Sequence, residues 1–137
     1  MLFKQLVGTV VLNVENCTAP GRTVRVYAFC TRVGGPIPYS AGAITLVAIN
    51  INSTPVTFSP NVNGVVNYVR DEYHLTSPNN QMASQYIALN GKVLQLGEGG
   101  SLPSFDPISV SSNTPITMAG LSYGFFVLTH ANGAACH

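Results

Sequence analysis

The chain has 137 residues and a mass of 14.5 kDa, which is the size of a single domain. Only 8% of its residues are charged, 6 basic and 5 acidic, whereas an ordinary soluble domain has about 25%. The net charge of +1 excludes a protein that binds nucleic acid through many phosphate contacts, and five carboxylates leave few ways to build a two-carboxylate active site.

The first residues have a helical pattern. Leu2, Phe3, Leu6 and Val7 fall on one helical face, and Gly8 stands where a helix often ends. An isolated helix this short is marginal in water, so we expect it to be the end of something longer. The segment lacks the unbroken apolar core of a signal peptide, and no stretch of the chain approaches the roughly 20 apolar residues of a membrane helix.

The remainder of the chain has the pattern of strands. Within one of them, Val24, Val26, Ala28 and Cys30 alternate onto a face that we expect to be buried. The pair Asn90-Gly91 predicts a hairpin turn, whereas residues 97–107 carry three Gly and two Pro and predict an irregular loop. The predicted fold is all-β, a two-sheet antiparallel β-sandwich of about eight strands with a short N-terminal helical stub. The candidate strands cover residues 9–15, 23–32, 43–51, 56–59, 65–70, 84–89, 92–96, 116–118 and 121–129, with a turn at 19–21 after the first.

The cysteines and sequons indicate possible covalent chemistry. Cys17, Cys30 and Cys136 lack the spacing of metal ligands, so we expect no metal site, and nothing in the sequence indicates a cofactor. The triplets Asn16-Cys17-Thr18 and Asn52-Ser53-Thr54 make Asn16 and Asn52 candidate glycosylation sites, the second disfavoured by the proline that follows it.

Several segments along the whole chain carry a family resemblance. The longest are Leu2-Phe3-Lys4-Gln5-Leu6-Val7-Gly8-Thr9, Arg25-Val26-Tyr27-Ala28-Phe29-Cys30-Thr31, Arg70-Asp71-Glu72-Tyr73-His74-Leu75-Thr76 and Ser122-Tyr123-Gly124-Phe125-Phe126-Val127. In this order they resemble segments of the heparanases and plant heparanase-like β-glucuronidases of glycoside hydrolase family 79. The first of them resembles the join between that family's catalytic barrel and its C-terminal domain.

The resemblance implies an accessory domain of a hydrolase rather than the enzyme itself. In the family, two catalytic Glu residues lie on an N-terminal (β/α)₈ barrel, and no position of this sequence matches either. Residues 1–8 would end the last barrel helix, and residues 9–137 would form a C-terminal β-sandwich that packs on the barrel and supports its folding and secretion. We therefore expect no catalytic residue, and the chain is expected to be inactive alone.

The resemblance also implies the chain's partners and location. The barrel would be the partner, and glucuronic-acid-containing glycans of proteoglycans or arabinogalactan proteins would be met only through the parent enzyme. The expected location is extracellular, the cell wall, or the lysosome or vacuole. The alternative is a stand-alone extracellular carbohydrate-binding or adhesion module with the same fold.

The family's paired cysteines match Cys30 and Cys136, which implies a disulfide between them and leaves Cys17 free; two buried thiols are the alternative. The resemblance further implies that the N-terminal stub and one sandwich face, buried on the barrel in the family, are apolar and exposed in this chain.

The polar residues offer little support for catalysis. A retaining glycosidase needs two carboxyls about 5 to 5.5 Å apart, whereas Asp71 and Glu72 are adjacent and would point to opposite faces of a strand. We expect all five carboxylates, Glu15, Asp71, Glu72, Glu98 and Asp106, to be solvated surface groups.

The histidines and tyrosines are also expected to be structural. We expect His74 to be a hydrogen-bonded histidine at a strand end rather than an acid-base group or a sugar contact, and His130 and His137 have no nucleophile signature around them. Tyrosines could contact sugars, but we expect most to lie in the core or against the barrel; these are Tyr27, Tyr39, Tyr73 and Tyr123.

Overall fold

The computed structural model describes residues 1–15, 23–62, 68–81 and 83–137. Asn16, Cys17, the predicted turn at 19–21 and the first part of the predicted strand 65–70 lie outside these ranges. The described elements are α1 (Leu2–Leu6), β1 (Val7–Leu12), β2 (Val24–Thr31), β3 (Ile44–Asn50), β4 (Val56–Phe58), β5 (Val69–Thr76), β6 (Ala88–Leu89), β7 (Lys92–Val93), β8 (Ile108–Ser111), β9 (Ile116–Met118) and β10 (Ser122–Leu128), with 3₁₀ turns at Pro78–Asn80, Glu98–Gly100 and Ala134–Cys136.

The described strands form two antiparallel sheets. The large sheet has the order β1-β2-β3-β10-β5-β6-β7, and β8 also pairs with β5. The small sheet consists of β4 and β9. The predicted all-β, two-sheet fold with a short N-terminal helix is therefore confirmed, although the described part has ten strands, divided eight and two.

The two faces of the large sheet carry separate cores. The strands β3 and β10 are apolar on both faces, as buried central strands require. On one face, which we call the small-sheet side, Leu46 and Phe126 lie opposite each other under Ile116 and Met118 of β9. On the other, the helix side, Phe125 and neighbouring residues of the large sheet pack with side chains from α1 and β6; this core contains Leu2, Leu6, Ala43, Tyr73, Leu75, Leu89, Phe125 and Val127.

The helix α1 continues directly into β1, and its predicted end is confirmed in position, because Leu6 is the last helical residue, Val7 is the C-cap and Gly8 follows at C′. Val7 already has extended backbone angles, φ −92° and ψ 121°, and Gly8 lies within β1. A Cβ atom at Gly8 would stand 2.6 Å from the backbone oxygen of Cys30. Glycine is needed here because β1 approaches β2 closely, rather than to end a helix.

The strand β5 lies further along the chain than predicted. It covers Val69–Thr76 rather than ending at residue 70, and it pairs along one edge with β10 over six residue positions. The strand β8 was not predicted, and the predicted strands 84–89 and 92–96 shorten to two residues each. The hairpin between them is confirmed, because Asn90 and Gly91 have φ values of 49° and 80°, as a tight primed turn requires.

The outer edge of β5 is shared by two short strands. The strand β8 pairs with its first half and β6 with its last two residues. Between them, the backbone N–H of His74 donates to Oδ1 of Asn90 at 2.8 Å, and the backbone N–H of Asn90 donates to the His74 carbonyl at 2.8 Å. Nδ2 of Asn90 also donates to the carbonyl of Glu72 at 3.1 Å. One asparagine thus completes the edge where the two strands leave a gap.

The disulfide between Cys30 and Cys136 is confirmed. The two Cα atoms are 5.2 Å apart, within the usual range, and the cysteines are separated by 106 residues in the chain. The bond joins β2 to the 3₁₀ turn at Ala134–Cys136.

Candidate functional site

A buried ionic network lies on the small-sheet side of β5. Arg70 is fully buried, and its Nε and Nη2 donate to Oε1 of Glu72 at 2.8 and 2.6 Å. Nη2 also donates to the carbonyl of Thr114 at 2.7 Å, whereas Nη1 has no hydrogen-bond partner among the described residues. Arginine can be accommodated in this layer because the carboxylate of the same strand balances its charge.

Glu72 uses its second oxygen as well. Oε2 lies 2.6 Å from Nε2 of His74, whose ring meets the edge of Phe126 at a centroid distance of 5.2 Å. Burial raises the pKa of Glu72, but the hydrogen bonds from His74 and Arg70 and their charge outweigh it, so the pKa is lowered from its ordinary value. The prediction that Glu72 is a solvated surface group is wrong, because it is only 7% exposed. The predicted hydrogen bonding of His74 is confirmed, and the residue lies within β5, two residues before its end.

A second polar cluster lies on the opposite face of β5. Tyr39 donates its hydroxyl proton to Oδ2 of Asp71 at 2.9 Å, and Ser109 donates to Oδ1 at 2.6 Å. Tyr73 lies 2.8 Å from the Tyr39 oxygen and must be the donor there, since the Tyr39 proton is already engaged. Burial raises the pKa of Tyr73 to about 12 and that of Tyr39 still further, so both phenols remain protonated. Asp71 is therefore a half-buried acceptor and not the solvated group we predicted.

The other carboxylates and histidines do not form a reactive cluster. Glu15, Glu98 and Asp106 are exposed, as predicted. His130 contacts the Thr129 hydroxyl and His137 contacts the Asn132 side chain, and both histidines are exposed. In the described ranges, no group of three His, Cys, Asp or Glu side chains could hold a metal ion. No helix in the described part of the chain is long and apolar enough to cross a membrane.

The helix side of the large sheet exposes large apolar and aromatic side chains. Ile49 and Tyr123 are register partners on β3 and β10 and are 38% and 40% exposed, and Tyr27 on β2 is 47% exposed. Phe3 of α1 is 53% exposed and meets the rings of Phe29 and Phe125 edge to face. We call Phe3, Tyr27, Ile49 and Tyr123 the apolar face.

The apolar face continues into a shallow depression of about 430 Å³ beside α1. Leu96 and Leu102, both more than half exposed, line it together with Phe3 and Tyr123. The predicted exposure of the N-terminal stub is right for Phe3 but wrong for Leu2 and Leu6, which are buried in the chain's own helix-side core.

A groove of about 560 Å³ opens beside the apolar face. Turns at residues 53–55 and 119–121 line one part of it, and residues 75–77 and 84–87 line another. Tyr86 is 63% exposed and Tyr123 is 40% exposed. Sequence reasoning named Tyr123 but missed Tyr86, whose only signal is an aromatic residue directly after the polar pair Ser84-Gln85.

Fold and surface together define a disulfide-linked β domain with one apolar face exposed to solvent.

Heparanase of Gallus gallus is 31% identical over 138 residues, which cover 99% of this chain and 26% of that protein. Hyaluronoglucuronidase of Hirudo nipponia is 34% identical over 139 residues, covering 98% and 27%. Heparanase-like protein 1 of Arabidopsis thaliana is 40% identical over 67 residues, covering 49% and 12%. No protein-family model matches the chain.

The predicted resemblance to the heparanases and the plant heparanase-like proteins is thus confirmed. The chain spans about a quarter of the length of the first two of these relatives and corresponds to a domain-sized part of them.

Proposed function

We propose that the chain is the non-catalytic C-terminal β domain of a heparanase-like glycoside hydrolase of family 79. In this role it packs on a (β/α)₈ catalytic barrel and supports the folding, secretion and stability of an enzyme that acts on glucuronic-acid-containing glycans of proteoglycans or arabinogalactan proteins. The names of the relatives, heparanase and hyaluronoglucuronidase, support this substrate class.

The apolar face is the observation that carries the proposal. Phe3, Tyr27, Ile49 and Tyr123 expose aromatic and aliphatic groups across three strands and a helix, and the depression beside them extends the surface. Large exposed apolar side chains grouped on one sheet face mark an interaction site, and this face also carries the exposed Arg25, the register partner of Ile49 on β2. The relatives are about four times as long as this chain, which supports the remainder of such a protein as the proposed partner.

The positions of the carboxylates support a non-catalytic role. A glycosidase needs a proton donor and a second carboxylate across one glycosidic bond. Both oxygens of Glu72 are engaged by Arg70 and His74 inside the protein, and both oxygens of Asp71 accept hydrogen bonds on the other face of β5. Neither carboxyl is presented to a substrate.

The disulfide supports an extracellular, cell-wall, lysosomal or vacuolar location. Disulfides persist in oxidising compartments, and this one joins residues far apart in the chain. Asn52 is exposed in the turn after β3, where a sequon is accessible to glycosylation, whereas Asn16 lies outside the described residues.

An assay for activity and a test of the apolar face examine the proposal together. The purified chain is expected to give no turnover of a fluorogenic β-glucuronide; turnover that disappears when Asp71 or Glu72 is replaced would contradict the non-catalytic role.

The chain should also bind an apolar fluorescent dye, and Ile49→Ser should reduce that binding. Ile108→Ser is the matched control. Ile108 of β8 is 49% exposed, but it is the register partner of Glu72 and therefore lies on the small-sheet side, away from the apolar face. A wild-type chain that binds no dye and stays monomeric at high concentration would argue against a lost partner.

A stand-alone carbohydrate-binding module is the second candidate, and the groove with two exposed tyrosines favours it. The genomic sequence upstream of the codon for Met1 distinguishes the two candidates. The accessory-domain proposal requires that it encode a barrel with two catalytic Glu residues, and a stop codon and promoter there would favour the module.

A further inference from the structure

We propose that the groove between Tyr86 and Tyr123 is a binding site for a neutral oligosaccharide. The site is distinct from docking on a barrel, and because it shares Tyr123 with the apolar face, it is proposed for the chain in the absence of a barrel. The groove is rigid, displays two aromatic rings and has no charged side chain among the described residues that line it.

One wall of the groove is held together by a buried asparagine. Asn50 is 1% exposed, and its Nδ2 donates to the carbonyls of Thr54 at 3.0 Å and Ala119 at 2.9 Å. The backbone N–H of Leu121 donates to the carbonyl of Asn52 at 2.7 Å. These bonds join the turn after β3 to the turn before β10, so this wall is preformed in the chain without a ligand.

Gly120 shows how closely the two turns approach each other. A Cβ atom added there would overlap the backbone oxygen of Ser53, so no other residue fits without displacing the backbone. Ser53 and Gly120 both line the groove. A preformed site of this kind loses little conformational freedom on binding, which favours affinity.

The other wall presents Tyr86. The Oγ atom of Ser84 accepts a hydrogen bond from the backbone N–H of Tyr86 at 3.0 Å and donates to its carbonyl at 3.1 Å. This local turn fixes the backbone while the ring remains 63% exposed. Tyrosine offers a large amphipathic contact surface at a low cost in side-chain entropy, because it has few rotatable bonds.

The groove is chemically suited to a sugar. A pyranose ring has an apolar C–H face that packs on an aromatic ring and hydroxyl groups that need hydrogen-bond partners at its rim. Tyr86 and Tyr123 provide rings, and Ser53, Thr76 and Gln85 provide hydroxyl and amide groups. An apolar protein segment bound in the groove would leave these polar groups without hydrogen-bond partners. Such a segment fits the apolar depression beside α1 better.

The uncharged lining of the groove favours neutral glycans over anionic ones. No Lys, Arg, His, Asp or Glu lines the groove in the described part of the chain. Burial raises the pKa of Tyr123, so this phenol is neutral as well. Sulfated or uronic-acid glycans need basic partners to offset their desolvation, and a neutral glycan does not.

The test measures binding to the unglycosylated 137-residue chain by two-dimensional NMR. The neutral probes are cellohexaose, xylohexaose and β-1,3-galactohexaose, and hexagalacturonate is the anionic comparison of equal length. At least one neutral probe should give saturable shifts at residues 84–87 and 119–123 and bind more tightly than hexagalacturonate. Tyr86→Ala should weaken binding about fivefold or more, from the loss of an aromatic contact.

Two further variants complete the design. Tyr123→Leu should also weaken binding while retaining an apolar residue in β10, and Tyr27→Ala should leave it unchanged. Tyr27 is the matched control because it is 47% exposed on the same sheet but does not line the groove. The dispersion of each variant's spectrum reports whether it is folded, and Tyr86, with most of its surface in solvent, can be replaced without opening the core.

The proposal is overturned if no neutral probe gives saturable shifts, if hexagalacturonate binds as tightly as the neutral probes, or if Tyr86→Ala binds like the wild type. Since binding is measured without any partner, such a failure would leave the docking of the apolar face on a barrel intact. Conversely, failure of the dye-binding test would not affect the groove.

Discussion

Arg70 and Glu72 form an ion pair within one strand, two residues apart on the same face, with both Nε and Nη2 of the arginine directed at one carboxylate oxygen. Arg70 is fully buried and Glu72 nearly so. Such a pair gains little net stability over an apolar replacement, but each partner depends on the other once both are buried. The burial of this face of β5 therefore requires that both Arg70 and Glu72 be present.

We expect Glu72→Gln to destabilise the chain by about 3 to 5 kcal/mol. The substitution leaves the Arg70 charge buried and without a counter-charge. Urea denaturation followed by circular dichroism measures the loss, and Glu98→Gln, at an exposed position, should change stability by less than about 0.5 kcal/mol. A loss below about 1 kcal/mol for Glu72→Gln would show that the pair is solvated in solution.

Stability should fall with acidification because of the same carboxyl. The pKa of Glu72 is lower in the folded chain than its ordinary value of 4.5, so the unfolded state binds the proton more readily. The stabilisation is complete above pH 4.5 and is lost as the pH falls below it through the folded pKa. The free energy of unfolding of the wild type, minus that of Glu72→Gln, should therefore decrease in this window. A difference that is constant with pH would show that the pKa of Glu72 is the same in both states.

Removing the disulfide should destabilise the chain strongly. For a separation of 106 residues, chain entropy predicts a loss of about 4 to 5 kcal/mol in the double variant Cys30→Ala/Cys136→Ala. Urea denaturation of the variant and of the oxidised wild type gives the difference, and Cys17→Ser is the control for loss of a thiol that we expect to be free. Peptide mapping without reduction that linked Cys17 to either partner would contradict the pairing.

Phe126→Ala should cost about 3 to 5 kcal/mol because it leaves a cavity between the sheets. Phe126 is fully buried and meets Phe58 edge to face at 6.3 Å. Phe3→Ala, at a ring more than half exposed, should cost much less. In a full-length parent enzyme, Phe126→Ala should lower the amount secreted and leave the specific activity of the remaining enzyme unchanged. A reduced specific activity would instead give this domain a part in the catalytic site.

Apolar alternation predicted the central strands well. The strands β2, β3 and β10 lie within about two residues of their predicted bounds, because burial on the sheet faces requires the period that the sequence displays. Prediction failed at β5, where the predicted strand ended at residue 70, because the charged residues that follow lack the apolar alternation of a buried strand. Tyr39 and Ser109, whose hydroxyls satisfy the half-buried carboxylate of Asp71 in this strand, are distant from it in the chain. The local sequence therefore does not reveal the hydrogen bonds that allow a charged residue there.

The candidate sites were less predictable for the same reason. The apolar face was expected from the family resemblance, but the burial of Leu2 and Leu6 depends on how α1 folds back on the sheet. The groove is formed where Asn50 joins two turns, the nearer only four residues away and the farther 69. No pattern of spacing identifies that contact, since only the completed sheet brings the turns together.

Asn90 has a consequence for the behaviour of the chain in concentrated solution. A gap of unpaired backbone at a sheet margin is a place where a second molecule can add a strand and begin an assembly. At this position, one side chain occupies the donor and acceptor groups that an incoming strand would need, and the same residue forms the turn of the β6–β7 hairpin. The residue that shapes the hairpin thus also occupies the backbone groups of β5 to which an added strand would have to bond.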